Sequence, residues 1–338
     1  MTVHSTFPPA SSDPFRVETI VRGFQPPLRL EAPPDAAAIA RADTAARFWQ
    51  GDVAAWPADG SAEQARVLRD MFRATFNPYR PAVIDWPALS SGDLARITSL
   101  PIWDIAVQTE GRARMFMACY AATVQDPAMR EALALNAWEE SRHKDVLSRM
   151  VTAYGIELVD EPAYDAPRDA EWAYMVTGYS ECVDSFFAFG LFELARRSGL
   201  FPPALVETFE PVMQEECRHI LLFANWLAWH RARLGLVRRV RFEIKVARVW
   251  LFLGIERMGL ARSLDGDKTK DDSNFAMTGA GSVTEEEFDL RTLLKLCLVE
   301  NARRFAGYDK RLYRPGTMPA LVRAVLWVLP GGKKKKKR

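Results

Sequence analysis

The chain has 338 residues, 49% hydrophobic and 26% charged, a balance that builds a globular core and excludes disordered and fibrous classes. The net charge of +2 hides six consecutive basic residues, Lys333 to Arg338. Without them the rest carries −4, which argues against a general affinity for nucleic acid. Four cysteines, Cys119, Cys182, Cys217 and Cys297, form no C-x-x-C pair, so neither a disulfide scaffold nor a zinc ribbon is expected and a reducing cytoplasm fits.

Residues 1 to about 34 are proline-rich and read as extended chain over the surface, with no basic start and apolar stretch of a secretory leader. Helical spacing follows over 35–49, with Asp35 as its cap, and over 62–76. After the Asn77-to-Pro81 and Ser90-to-Asp93 breaks, Ser91 or Asp93 is positioned to cap another helix. Four long helices are expected at 104–125, 127–154, 170–197 and 203–234, separated by Asp126-Pro127, by the stretch from Asp160 to Arg168, and by Ser198 to Pro203. A further amphipathic helix spans Arg238 to Arg262. A mobile loop is expected near 265–282, then a helix from Glu285 to Gly307 and a short apolar segment, Met318 to Leu329. Strand signals are almost absent and no apolar run is long enough to cross a bilayer, so the class is all-α. The expected division is 1–103 (extended segment and packed helices), 104–234 (bundle), 235–332 (helical extension) and 333–338 (basic tail).

The chemistry lies in a repeat. Glu139-Glu140-Ser-Arg142-His143 and Glu215-Glu216-Cys-Arg218-His219 both read Glu-Glu-x-Arg-His, and they hold two of the four histidines. The second Glu and the His stand three apart, so a helix presents a carboxylate and an imidazole from one face. Pro127 precedes Glu140, and Pro203 precedes Glu216, by 13 residues; upstream, Glu110 and Glu181 lie 16 residues before Asp126 and Arg197. At about 1.5 Å per residue, each helical hairpin returns its Glu, Glu and His to within roughly one turn of a common level. Two such hairpins supply four carboxylates and two imidazoles, the donor set of a di-iron carboxylate bundle. Asp104, Asp184 and Glu193 stand near enough to be alternatives to Glu110 and Glu181.

On these residues, over about 104–234, the chain resembles the ferritin-like di-iron carboxylate superfamily. The resemblance implies a ferritin-like four-helix bundle with additional N- and C-terminal helices. It makes Glu110 and Glu181 terminal ligands, Glu140 and Glu216 bridging ligands, and gives His143 and His219 one ion each of an Fe/Fe or Mn/Fe pair. The stretch from Glu140 to Leu147 resembles the Glu-x-Arg-His-x-Asp-x-Leu motif of soluble acyl-carrier-protein desaturases, and the Arg-His form also resembles bacterial multicomponent monooxygenases. By that likeness Glu139 orients His219 and Glu215 orients His143, with Asp184 in the same outer layer. Pairing of Glu139 with Arg142 and of Glu215 with Arg218 along one helix is the competing reading.

The expected activity is that of a di-iron oxygenase or oxidase that activates O₂ to hydroxylate, desaturate or N-oxygenate a small, apolar organic substrate. Phe186, Phe187, Phe189 and Phe192, beyond Glu181, are candidates to line its pocket. Electrons must come from a ferredoxin or reductase, since the chain has no flavin or nicotinamide fingerprint. The alternative is a ferroxidase or iron-handling protein. A homodimer is a further expectation. The basic tail, with arginines 231, 233, 238, 239, 241 and 248, suits peripheral contact at the inner face of a membrane.

Overall fold

The computed structural model describes residues 16–27, 35–77, 86–100, 103–159, 163–199, 201–263 and 290–329. The loop expected near 265–282 and the tail lie outside them. Among the described residues the regular structure is helical: α1 (Val17–Ile20), α2 (Ala36–Ala45), α3 (Ala62–Ala74), α4 (Ser91–Thr98), α5 (Trp103–Thr123), α6 (Pro127–Ala153), α7 (Ala170–Ser198), α8 (Pro203–Arg233), α9 (Leu236–Ser263), α10 (Leu290–Phe305) and α11 (Thr317–Val328). The four long central helices begin and end within two residues of the sequence expectation, because strong punctuation bounds them.

Asp126 accepts from the amides of Ala128 and Met129, and Pro127 occupies the first helical position, where a missing N–H costs nothing. Gly199, at φ +68°, ends α7 in the left-handed conformation that glycine adopts without strain. Asp35 caps α2 as expected, accepting from Ala38 N at 2.6 Å. The cap of α4 is Ser90 rather than Ser91 or Asp93. Ser90 Oγ accepts from the Asp93 amide and donates to the Asp93 carboxylate at 2.7 Å, a closed local loop that moves the start one residue earlier.

α5 packs against α6 and α7, and α8 packs against the same two helices, so the four enclose one core. α3 lies across α6 and α8, α9 lies on α7, and α10 packs against α7 from outside. The α7–α10 approach is close because residue 190 is glycine. A Cβ there would stand 2.3 Å from Cys297 Sγ and 2.8 Å from its backbone nitrogen. Gly178 does the same between α7 and α8, where a Cβ would stand 2.2 Å from the Phe223 ring.

One end of the core is filled by rings. Tyr120 stacks on Tyr174 at 4.7 Å, and Trp226 meets both edge-on while donating to Tyr120 Oη at 3.1 Å. A continuous apolar cluster joins Val17, Leu68, Leu133, Phe223, Phe242 and Tyr308. The segments before and after the central helices therefore complete the same core.

Candidate metal centre

Glu140 and His143 project from the middle of α6, and Glu216 and His219 from the middle of α8. One donor atom from each lies within 4.8 Å of the others, and all four residues are buried or nearly so. The inner faces of the imidazoles define the centre. His219 Nδ1 stands 2.6 Å from a Glu140 oxygen, and His143 Nδ1 stands 3.1 Å from a Glu216 oxygen and 3.7 Å from Glu140. The two rings face each other at 5.4 Å. Yet neither buried Nδ1 has a hydrogen-bond partner of acceptable geometry. Two imidazole nitrogens and two carboxylates converging in this way are the donor types that bind a cation.

The outer faces are fully engaged. His143 Nε2 donates to Glu215 Oε2 at 2.9 Å, and His219 Nε2 donates to Glu139 Oε2 at 2.9 Å. Each link crosses from one Glu-Glu-x-Arg-His segment to the other. The remaining oxygens of the same acids are held crosswise too, Glu215 by Arg142 and Glu139 by Arg218 at 2.6 Å. Of the same-helix alternatives, Arg218 and Glu215 stand 3.6 Å apart, a longer contact than either crosswise pair. With Nε2 committed to a carboxylate, the tautomer leaves the Nδ1 lone pair directed inward. Burial alone would push Glu139 up, but Arg218, His219 and Arg142 outweigh it and hold the carboxyl down at about 2.

Glu110 and Glu181 enter from α5 and α7. Glu110 shares a hydrogen bond with Glu140, and the Glu181 carboxyl feels the charges of Glu140 and Glu216 while its Oε1 is buried without a partner. Burial first, then the neighbouring carboxylates, push both acids well above the usual range. His219, which burial alone would lower, is pushed up to about 10 by Glu140, Glu139 and Glu216. The centre therefore carries more carboxylate than it can ionise unaided, and its protons occupy places that divalent cations would take. Donor type, burial and unpartnered atoms all fit a metal.

Asp184, expected in the outer layer, is held elsewhere. It accepts from Ser180 and pairs with Arg257 of α9 at 2.7 Å. Glu193 likewise pairs with Arg196 and Arg197, and Asp104 accepts from the Val159 amide. Phe186 and Phe189 are core packing: Phe186 lies among Leu293, Leu294 and Cys297, and Arg304 covers Phe189.

What sequence reading missed is α3. Phe72 stacks on His219 with planes 8° apart, and the Arg142 guanidinium lies over the rings of both Phe76 and Trp138. The Asn77 carbonyl accepts from Arg142 at 2.9 Å, and Thr75 Oγ1 accepts from Arg218 at 3.3 Å. The C-terminal turn of α3 thus seals the histidine side of the centre.

A cavity of about 610 Å³ lies between α7, α8 and α9, near the start of α11. Tyr179 and Cys182, which flank Glu181 closely on α7, line it with Trp250 and with Phe223, one turn beyond His219. Neither a family model, nor a curated protein, nor a solved structure matches the chain.

Proposed function

We propose that this chain is a ferritin-like di-iron carboxylate protein of the oxygen-activating kind. The observation that carries the reading is the reciprocal arrangement of the two motifs. Each imidazole turns an unpartnered Nδ1 to the centre while an acid of the opposite motif fixes its Nε2. Glu140, His143, Glu216 and His219 would hold the ions, with Glu110 and Glu181 as outer donors on either side. Four carboxylates neutralise the charge of two divalent ions, and a carboxylate-rich set with two imidazoles suits iron or a manganese–iron pair.

When bound, such a pair supplies the redox chemistry that activates O₂ toward a C–H or N–H bond. The chain's own residues do the rest. Glu139 and Glu215 hold the Nε2 protons and so keep Nδ1 free to ligate. Arg142 pairs with Glu215 and Arg218 with Glu139. Phe72, Phe76 and Trp138 exclude water from that side. The cavity lined by Tyr179, Cys182, Phe223 and Trp250, residues near Glu181 and His219 in sequence, would take a small organic substrate. Two electrons come from an external ferredoxin or reductase.

Oxygen uptake by the iron-loaded, reduced protein separates this reading from iron handling. The oxygenase reading expects uptake to rise with a small organic molecule and that molecule to be recovered oxidised. Uptake driven by Fe²⁺ alone, ending in a ferric mineral, would assign the chain to the ferroxidases.

A further inference from the structure

α9 is apolar on two opposite sides. Phe242, Val246, Val249 and Leu253 are buried against the rest of the protein, at spacings of four, three and four. At about 100° per residue, Val237, Val240, Ile244, Leu251 and Ile255 fall within about 30° of the diametrically opposite line. All five are exposed, from 53% at Val240 to 66% at Val237. An outward stripe of this length on a helix already seated by its other face lacks a structural use within the described chain.

The charges beside the stripe select its occupant. Arg241 and Arg248 border it on one side, and both are exposed. The acids of that stretch are already used, Glu243 by Arg231 at 2.8 Å and Glu256 by Arg257 at 3.1 Å. A second copy of α9 laid on the stripe would bring more arginines and no free acid, so pairing would leave like charges facing one another. An anionic bilayer surface supplies what is lacking, acyl chains for the stripe and phosphates for the arginines.

A second surface has the same character. α11 exposes Leu321, Val325 and Trp327, the last at 88%, shortly before the Lys333-to-Arg338 run in sequence. Aromatic side chains of this kind settle at the headgroup level. No described helix is long and apolar enough to cross a membrane, so the contact lies in the interface plane.

We propose that the outward face of α9 docks this protein onto an anionic lipid surface, with Arg241 and Arg248 reading the headgroup charge. The inference stands independently of the metal centre. Of the arginines singled out in the sequence, Arg231 and Arg233 serve the fold instead, through Glu243 and through the Gly60 carbonyl.

The test is co-sedimentation of the full chain with phosphatidylcholine vesicles, with and without phosphatidylserine. Binding is expected only with the anionic lipid, weakening as salt rises. Arg241→Ala with Arg248→Ala should weaken it about fivefold per arginine, and Ile244→Glu with Leu251→Glu should abolish it. All four positions are exposed, so the variants should melt as wild type does. Failure of the wild-type chain to bind, or unchanged binding by Ile244→Glu/Leu251→Glu, would overturn the proposal. A solution dimer that those same substitutions dissociate would assign the stripe to a second copy instead.

Discussion

Glu139 and Glu215 each serve two masters on the facing helix, an imidazole and a guanidinium, and neither can be replaced without disturbing both. Glu215→Gln keeps the shape but loses the charge that Arg142 and the His143 Nε2 proton oppose. Loss of such an outer partner typically costs a metal site 10- to 100-fold in affinity. We expect a drop of that order for Glu215→Gln, measured by chelator competition, with the helical content unchanged. Equal affinity in the variant would show that the carboxylate does not support the histidine. The pairing of these acids was legible only as one of two readings, since a one-turn spacing permits a same-helix bond as readily as a cross-helix one. The antiparallel placement of α6 and α8 favours the crosswise bond, because it faces each acid with the opposite motif.

At the scale of elements, the tightest joint is α7 against α10. Gly190→Ala would push a methyl group into the Cys297 backbone, which cannot yield as a side-chain tip would. Overpacking of this kind costs about 1–3 kcal/mol, and thermal melting should show a lowered midpoint, whereas an unchanged midpoint would mean the helices separate freely. α7 is tied to α8 and α9 by charge as well. His230, whose Nε2 stands 3.0 Å from the carboxylate, holds Glu171 down at about 2 against the opposing effect of burial, with Lys245 contributing. Because the folded value lies below the ordinary carboxyl value, this contribution is present above about pH 4.5 and is lost as pH falls toward 2. Stability followed by denaturant between those limits should fall less steeply in Glu171→Gln than in wild type. Identical slopes would show that Glu171 contributes nothing to stability in this range.

Element boundaries were readable where sequence punctuation is local, as at Pro127 and at Gly199. The contribution of α3 was not readable. Phe72, Thr75, Phe76 and Asn77 form an ordinary end to an amphipathic helix, and their bearing on Arg142, Arg218 and His219 exists only through packing across more than sixty positions of sequence. Phe186 and Phe189 read as pocket candidates for a related reason. Helix periodicity tells that a ring points inward, but not whether it meets an empty space or α10.

Over the whole molecule, the centre is a concentration of negative charge in a core that is otherwise apolar and aromatic. Glu110, Glu140, Glu181 and Glu216 come from four different helices, and burial with the neighbouring carboxylates opposes ionisation of Glu110 and Glu181. A fold selected only for stability would place hydrophobic residues there, since a buried charge cluster rarely repays its desolvation. The duplicated motif, the two outer acids and the sealing turn of α3 together make sense around metal ions. The outward apolar face of α9 lies apart from the metal ligands in sequence.

The most direct test is metal analysis of the full chain after loading with Fe²⁺ under anaerobic conditions and removal of free ions. A di-metal centre takes up about two metal ions per chain, with losses in His143→Ala and Glu216→Ala. Less than one ion per chain, unchanged in those variants, would contradict it.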